Sequence, residues 1–293
     1  MDGVLVVDKD RGWTSHDVVS HIRTVLGQKK VGHTGTLDPM ATGVLVLCLG
    51  RATRIVRFLD DGEKAYTAEI RLGVSTDTFD AEGEVTQIKE VPDFTMEEVV
   101  TACEAFRGRI HQIPPMFSAV KVSGQKLYEL ARKGREIPRA PRAVTISELE
   151  ILSYRTPILR IEVVCSKGTY IRALAHDIGK RLGPGGHLVA LRRRRCGRFT
   201  EAQSLSLKQV ASKAEAGTIG QYVLSMDEAL NHLPRVRVSG SEEERFRHGA
   251  WVRRWDILEH KGAEEMARVV GADGDFLGIG RCGEILKPVC VLV

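Results

Sequence analysis

The chain has 293 residues, 43% of them hydrophobic, with a formal net charge of only +5, so it holds enough apolar material for one large domain and a smaller one and is not a disordered polymer. No run of about 18 apolar residues follows Met1 or occurs later, and no basic-then-apolar leader is present, so the expectation is a cytoplasmic protein that neither enters a membrane nor is secreted. Six cysteines without a C-x-x-C pair and nine histidines without H-E-x-x-H spacing predict reduced thiols and no metal site.

In chain order, residues 4–7 read as a short buried strand, followed by a helix opening at Ser15, a plausible N-cap. Val18, Val19, Ile22, Val25 and Leu26 fall on one helical face, and Gly27 stands where a left-handed terminator is expected. Residues 31–43 form a polar, glycine-rich loop, and residues 44–49 a strand. Tyr66, Ala68, Ile70 and Leu72 alternate with polar neighbours, the pattern of a half-exposed strand. Thr95-x-x-Glu98 is a capping box for a helix ending near Gly108.

Residues 113–142 are proline-bounded, with helical patterning only around residues 127–131, and read as a long surface insertion. The wider segment 107–142 carries nine lysines and arginines, Lys126, Arg132 and Lys133 among them, against Glu129 and Glu136; its local charge of +7 suits a polyanion. A strand over 159–165 precedes a helix marked by Ile171, Leu174, Ala175, Ile178 and Leu182. Arg192 to Arg195 with Arg198 read either as a second polyanion patch or as a solvated charged face. Ser206-x-x-Gln209 caps another helix, and beyond Pro234 short strands around the Asp273-Gly274 turn suggest a second, mostly β domain. Helices and strands without βαβ regularity predict an α+β class, divided into residues 1–232 and 233–293.

The most informative stretch is Gly32-His33-Thr34-Gly35-Thr36-Leu37-Asp38-Pro39-Met40-Ala41-Thr42-Gly43. A carboxylate on such a loop can be aimed into a cleft, although an aspartate in this setting is by itself more often a turn or cap residue than a catalytic one. The stretch resembles the catalytic loop of the TruB family of tRNA pseudouridine synthases, G-H-x-G-x-L-D-P-x-A-x-G, at every specified position. The resemblance continues at Asp8-Lys9-x-x-Gly12-x-x-Ser15, Lys64-x-Tyr66, Ser166-Lys167-Gly168-Thr169-Tyr170-Ile171-Arg172, Gly186-His187-Leu188 and Leu191-Arg192-Arg193. One departure is Asp10, where the family usually has proline.

The resemblance implies a pseudouridine synthase catalytic domain with a mixed or antiparallel sheet and flanking helices, followed by a PUA-like RNA-binding module. It implies that uridine 55 in the T-loop of tRNA is flipped out and isomerised without cofactor or guide RNA, by a monomeric enzyme with no obligatory protein partner. Asp38 becomes the catalytic carboxylate, acting as nucleophile or as stabiliser of a cationic or glycal-like sugar. Arg172 becomes its ion-pair partner, and Tyr66 stacks on the base and is a candidate for proton transfer at C5. Among the binding residues, His33 is carried over as a contact to nucleotides near the flipped base, Leu191 as a residue packing under the base, and Lys9 and Tyr170 as residues flanking the cleft in supportive or substrate-facing roles. The basic insertion becomes an element that closes over the T-arm, with Met116 and Tyr128 as contacts and Lys126, Arg132 and Lys133 as phosphate partners. Competing readings are an RNA-binding protein without catalysis, a subunit of a guide-RNA particle and, more remotely, a glycosidase, which needs a second carboxylate.

Overall fold

The computed structural model describes the chain except residues 60, 61, 119, 123, 132, 133, 260–264 and 293, and the side chains of residues 121 and 126. From the N-terminus run β1 (Gly3–Lys9), α1 (Ser15–Val25), β2 (Val31–His33), β3 (Thr42–Leu49), α2 (Val56–Leu59), β4 (Lys64–Leu72), β5 (Val74–Thr76), β6 (Val85–Ile88) and α3 (Met96–Glu104). The middle of the chain forms β7 (Gly108–Gln112), β8 (Lys121–Val122), β9 (Gln125–Lys126), α4 (Leu127–Ala131), β10 (Arg142–Arg155), β11 (Ile158–Cys165), α5 (Ile171–Leu182) and β12 (Gly186–Cys196). There follow β13 (Phe199–Thr200), β14 (Leu205–Ser206), α6 (Leu207–Glu215), α7 (Met226–Ala229), β15 (Arg235–Arg237), α8 (Gly240–Arg247), β16 (Asp256–Glu259), β17 (Met266–Val270), β18 (Phe276–Arg281) and β19 (Lys287–Val291).

The main sheet has the order β14-β1-β3-β12-β4-β11-β10-β7, with β2 added to β3 and β13 to β12. It is mixed: β1 pairs parallel with β14, and β12 parallel with β3, while the remaining ladders are antiparallel. The α+β expectation is therefore met, and the parallel β3–β12 contact marks the centre. There Gly43 sits opposite Arg193 at φ 100°, and a Cβ on it would lie 2.3 Å from the Arg193 carbonyl oxygen. Only glycine fits that approach.

Strands β1 and β3 are apolar along their whole length because both faces are covered. Leu5, Val7, Leu45 and Leu47 pack with α1, α5 and α6 residues in the larger core. Val4, Val6, Val44 and Val46 pack in a second core with Ile279, Cys290 and Leu292 of the C-terminal segment. That segment forms its own sheet, β16-β15-β17-β18-β19, with Gly274 at φ 87° between β17 and β18. It also contains α8 and β16, which the sequence pattern did not reveal.

Several local expectations change. Helix α1 is capped by Thr14 in a capping box with Asp17, so Ser15 is the first helical residue and its hydroxyl is free for another task. The loop expected over 31–43 begins with β2 and ends inside β3. Helix α3 ends at Glu104, before Gly108 opens β7. Tyr66, Ala68, Ile70 and Leu72 are buried while on the opposite face Thr67 and Glu69 are half-buried and Arg71 is exposed, the alternation expected of the strand. The capping boxes at Thr95 and Ser206 form as read. The insertion is a β8–β9 hairpin and α4 around a small core of Met116, Leu127 and Leu130. Met116 therefore faces inward, against the expectation of an RNA contact.

The four consecutive arginines do not form one open patch. Strand geometry sends alternate side chains to opposite faces, so Arg193 is 1% exposed, while Arg192 pairs with Asp8 and Glu201 and Arg194 with Glu201.

Candidate active site

The loop bearing Asp38 is fixed from three sides. The Ser15 hydroxyl accepts from the Leu37 N–H at 2.9 Å and lies 3.2 Å from the Leu37 carbonyl, to which it donates. The Lys9 ammonium, fully buried, donates to the carbonyls of Trp13 at 2.7 Å, Asp10 at 3.0 Å and Pro39 at 3.3 Å. Burial lowers its pKa to about 8, so even this lysine stays largely charged at pH 7. From the sheet, the buried Arg193 guanidinium donates to the carbonyls of Val44 at 2.7 Å, Gly35 at 3.1 Å and Thr36 at 3.4 Å. A turn closed by the Ala41 N–H on the Asp38 carbonyl at 3.0 Å completes the frame. Lys9 and Arg193 thus hold backbone. Neither presents its charge to solvent, so Lys9 has the geometry of the supportive alternative and Arg193 does not join the patch expected of its cluster.

Asp38 lies at the rim, its side chain 34% exposed, against the 7% exposed Arg172 of α5. Arg172 Nη2 is 3.4 Å from Asp38 Oδ1, and Nε is 3.4 Å from Oδ2. The same guanidinium donates to Asp80 Oδ2 at 3.3 Å and to the Phe117 carbonyl at 2.6 Å. One cation is therefore shared by two carboxylates and a carbonyl of the insertion. The surrounding protein raises the pKa of Asp38, Arg172 opposes that rise, and Asp80 adds to it; Lys9 and Arg193 act with Arg172.

Asp80 escaped the sequence reading. It is 2% exposed, and its Oδ1 accepts from the Thr78 hydroxyl at 2.6 Å and the Glu82 N–H at 3.1 Å. The signal available was a carboxylate in a Thr-Asp-Thr-Phe-Asp turn, indistinguishable by pattern from an ordinary Asx turn. Phe79 beside it has φ 65°, a left-handed backbone that costs a bulky residue about 1–2 kcal/mol and persists only where its surroundings enforce it.

The remaining candidates gather unevenly around this centre. Tyr66 on β4 is 7% exposed and shares the larger core with Leu37, Met40 and Leu191, and burial pushes its phenol up to about 12. Leu191, 8% exposed, lies on β12 opposite Ala68, two residues from Tyr66 on the same face. Tyr170 is the N-cap residue just before α5; its N–H and carbonyl are both clamped by the buried Gln112 amide, at 2.8 and 3.0 Å, and its ring centroid is 5.9 Å from the Arg172 guanidinium. His33 on β2 has a buried Nδ1 without a hydrogen-bond partner, and burial together with Arg193 lowers its pKa, leaving a neutral imidazole at pH 7. Arg132 and Lys133 lie outside the described residues, as does the side chain of Lys126. Among the described residues no cluster of His, Cys, Asp or Glu has the makings of a metal site, and no helix is long and apolar enough to cross a membrane.

Comparison with known proteins bears on this arrangement. Residues 23–171 match the family model described as TruB family pseudouridylate synthase (N terminal domain), and residues 172–231 match the tRNA pseudouridylate synthase B C-terminal domain. A protein of Dechloromonas aromatica (strain RCB) named tRNA pseudouridine synthase B is 47% identical over 283 residues, covering 97% of this chain and 92% of the relative. Another of that name, from Geotalea uraniireducens (strain Rf4), is 45% identical over 292 residues, covering 99% and 87%. Among solved structures, a chain of a Cbf5-Nop10-Gar1 complex superposes with a TM-score of 0.78 at 28% identity, covering 99% of this chain and 85% of that one. With its first family model spanning half of the sequence and these relatives aligned along nearly all of it, the chain belongs to the TruB family of pseudouridylate synthases.

Proposed function

We propose that this chain isomerises uridine 55 in the T-loop of tRNA to pseudouridine, acting without guide RNA, with residues 1–232 as the catalytic domain and 233–293 as a PUA-like RNA-binding domain. The observation that carries the site assignment is a half-open Asp38 carboxylate held against a nearly buried Arg172 that a second, buried carboxylate fixes in place. An ionised Asp38 attacks C1′ or stabilises the sugar as the C1′–N1 bond breaks. The base then turns, C5 bonds to C1′, the C5 proton leaves and N1 gains one. Atoms and redox state balance, so the reaction calls for no cofactor.

The pKa of Tyr66, near 12, supports a protonated phenol that stacks on the flipped base, since a phenolate base would be roughly one part in 10⁵ at pH 7. Flipping costs a few kcal/mol, and phosphate contacts from the +7 segment offset it. We place the enzyme in the cytoplasm as a monomer, with tRNA as its partner. The test is modification mapping of a tRNA transcript incubated with the purified chain alone, beside Asp38→Asn. Pseudouridine at position 55 with the parent and none with the variant is expected. The likeness to chains from a Cbf5-Nop10-Gar1 complex and from an H/ACA RNP bound to a substrate RNA supports a second reading, a subunit that works inside a ribonucleoprotein. Inactivity of the purified chain on tRNA would favour that reading.

A further inference from the structure

Arg172 and His176 lie four residues apart on α5, one above the other on one helix face. The turn between β5 and β6 meets both with consecutive residues. Asp80 holds Arg172 Nη1 at 3.3 Å, and the Phe79 ring stacks on the His176 imidazole, with centroids 4.1 Å apart and planes inclined by 23°. Phe79 is the only non-glycine residue at positive φ among the described residues. That conformation sends neighbouring side chains to two points of the same helix. Its backbone is tied down, since the Phe79 N–H donates to the Thr76 carbonyl at 3.3 Å and the Leu188 N–H to the Phe79 carbonyl at 3.0 Å. The Thr76 hydroxyl also donates to the Asp80 carbonyl at 2.7 Å.

We propose that Phe79 and His176 are positioning residues that set the seat of Asp80 on Arg172, and through Arg172 the orientation of Asp38. Neither ring touches the reacting atoms. Without the stack, the turn keeps its own hydrogen bonds and its tie to Leu188 of β12, but loses the aromatic contact that sets its distance from α5 beside the Asp80–Arg172 pair. Burial and Lys180 lower the His176 pKa, so the ring is neutral and stacks as an uncharged aromatic. A guanidinium shared between two carboxylates is sensitive to such a shift, because any movement toward Asp80 lengthens contacts to Asp38 that are already 3.4 Å.

The inference rests on the catalytic reading of Asp38 and Arg172, and the experiment separates the two. Single-turnover rates at saturating enzyme, tRNA dissociation constants and melting temperatures are measured for His176→Ala, His176→Phe, Phe79→Gly and Asp38→Asn. His176→Ala and Phe79→Gly should each lose about tenfold or more in rate, from misplacement of a fraction of an ångström, with tRNA affinity within about twofold. Glycine at 79 keeps the left-handed backbone accessible but also frees it, so His176→Ala, which leaves that backbone untouched, is the variant that reports the stack alone. His176→Phe should restore the rate to within about twofold, because it keeps an aromatic face.

The acid limb of the rate should also move to higher pH in His176→Ala. Asp38 is faced by Arg172, Asp80 and Glu82, and by Lys9 and Arg193 from the sheet side, and a weaker Arg172 contact leaves the desolvated carboxylate easier to protonate. A parental rate and acid limb in either His176→Ala or Phe79→Gly, equal losses in His176→Ala and His176→Phe, or a loss confined to affinity would each overturn the proposal. Turnover by Asp38→Asn would instead overturn the underlying catalytic reading.

Discussion

Replacing Arg172 by lysine keeps the charge and removes the geometry. The guanidinium reaches Asp80 through Nη1, Phe117 and Asp38 Oδ1 through Nη2, and Asp38 Oδ2 through Nε. A lysine ammonium is a single nitrogen on a different stem and keeps at most one or two of these partners. Each lost charge-assisted bond is worth about 1.5–3 kcal/mol in a buried setting, and the Asp38 arm is discounted because a third of that side chain reaches solvent. Losing two contacts, one of them so discounted, puts about 2–4 kcal/mol at stake. At about 1.4 kcal/mol per tenfold, the single-turnover rate should fall by about 30- to 10³-fold. The assay is release of tritium from C5-labelled tRNA with enzyme in excess, beside filter-binding affinities. A lysine variant within about threefold of the parent at saturation, or one whose whole defect is in affinity, would falsify the shared-guanidinium account, since misplacement must appear in the chemical step.

Asp38→Asn should abolish pseudouridine formation while keeping tRNA affinity within about tenfold, because phosphate contacts dominate binding. The same variant should be at least as stable as the parent at pH 7. Asp38's folded pKa is raised above its ordinary value, so the native state favours the protonated form, and the parent loses stability as pH rises through that folded pKa. Melting temperatures from pH 4 to 8 check the sign, and a variant that is less stable at pH 7 but not at pH 4 contradicts it. Ser15→Ala, which removes the reciprocal bonds to Leu37, should cost about 1–2 kcal/mol of stability and lower the single-turnover rate without changing the salt dependence of binding; a parental rate argues that Lys9 and Arg193 suffice to hold the loop. Neutralising Lys126, Arg132 and Lys133 together should weaken tRNA binding and flatten the log–log salt plot by roughly 0.7–0.9 per lost phosphate contact. An unchanged slope with a collapsed single-turnover rate would refute the electrostatic role of that segment.

The direct contact of the Phe117 carbonyl with Arg172 adds something that the charge of the insertion did not suggest. One hydrogen bond ties the backbone of that segment to the guanidinium that faces Asp38. The insertion therefore reaches Arg172 through backbone.

Local sequence determined much of this protein. Capping boxes at Thr95 and Ser206, the turn at Gly274 and the alternation through Tyr66 to Leu72 depend on a few neighbouring residues, and each formed as the pattern required. The motif around Asp38 and the arginine at 172 were legible because they stand in contiguous, specific words. What the sequence hid was long-range. Ser15 reads as a cap, and only the arrival of Leu37, 22 residues away, makes its hydroxyl an anchor. Arg193 reads as one of four exposed charges until β12 places it opposite Gly43 and Tyr66, where the carbonyls of the Asp38 loop are its acceptors. Asp80 reads as a turn residue until the β5–β6 turn docks on α5 and brings it to Arg172, 92 residues away. Charge and hydroxyl groups carry no directional signal in a pattern of types; which acceptor each one meets is set by the sheet order, and that is a property of the folded chain alone.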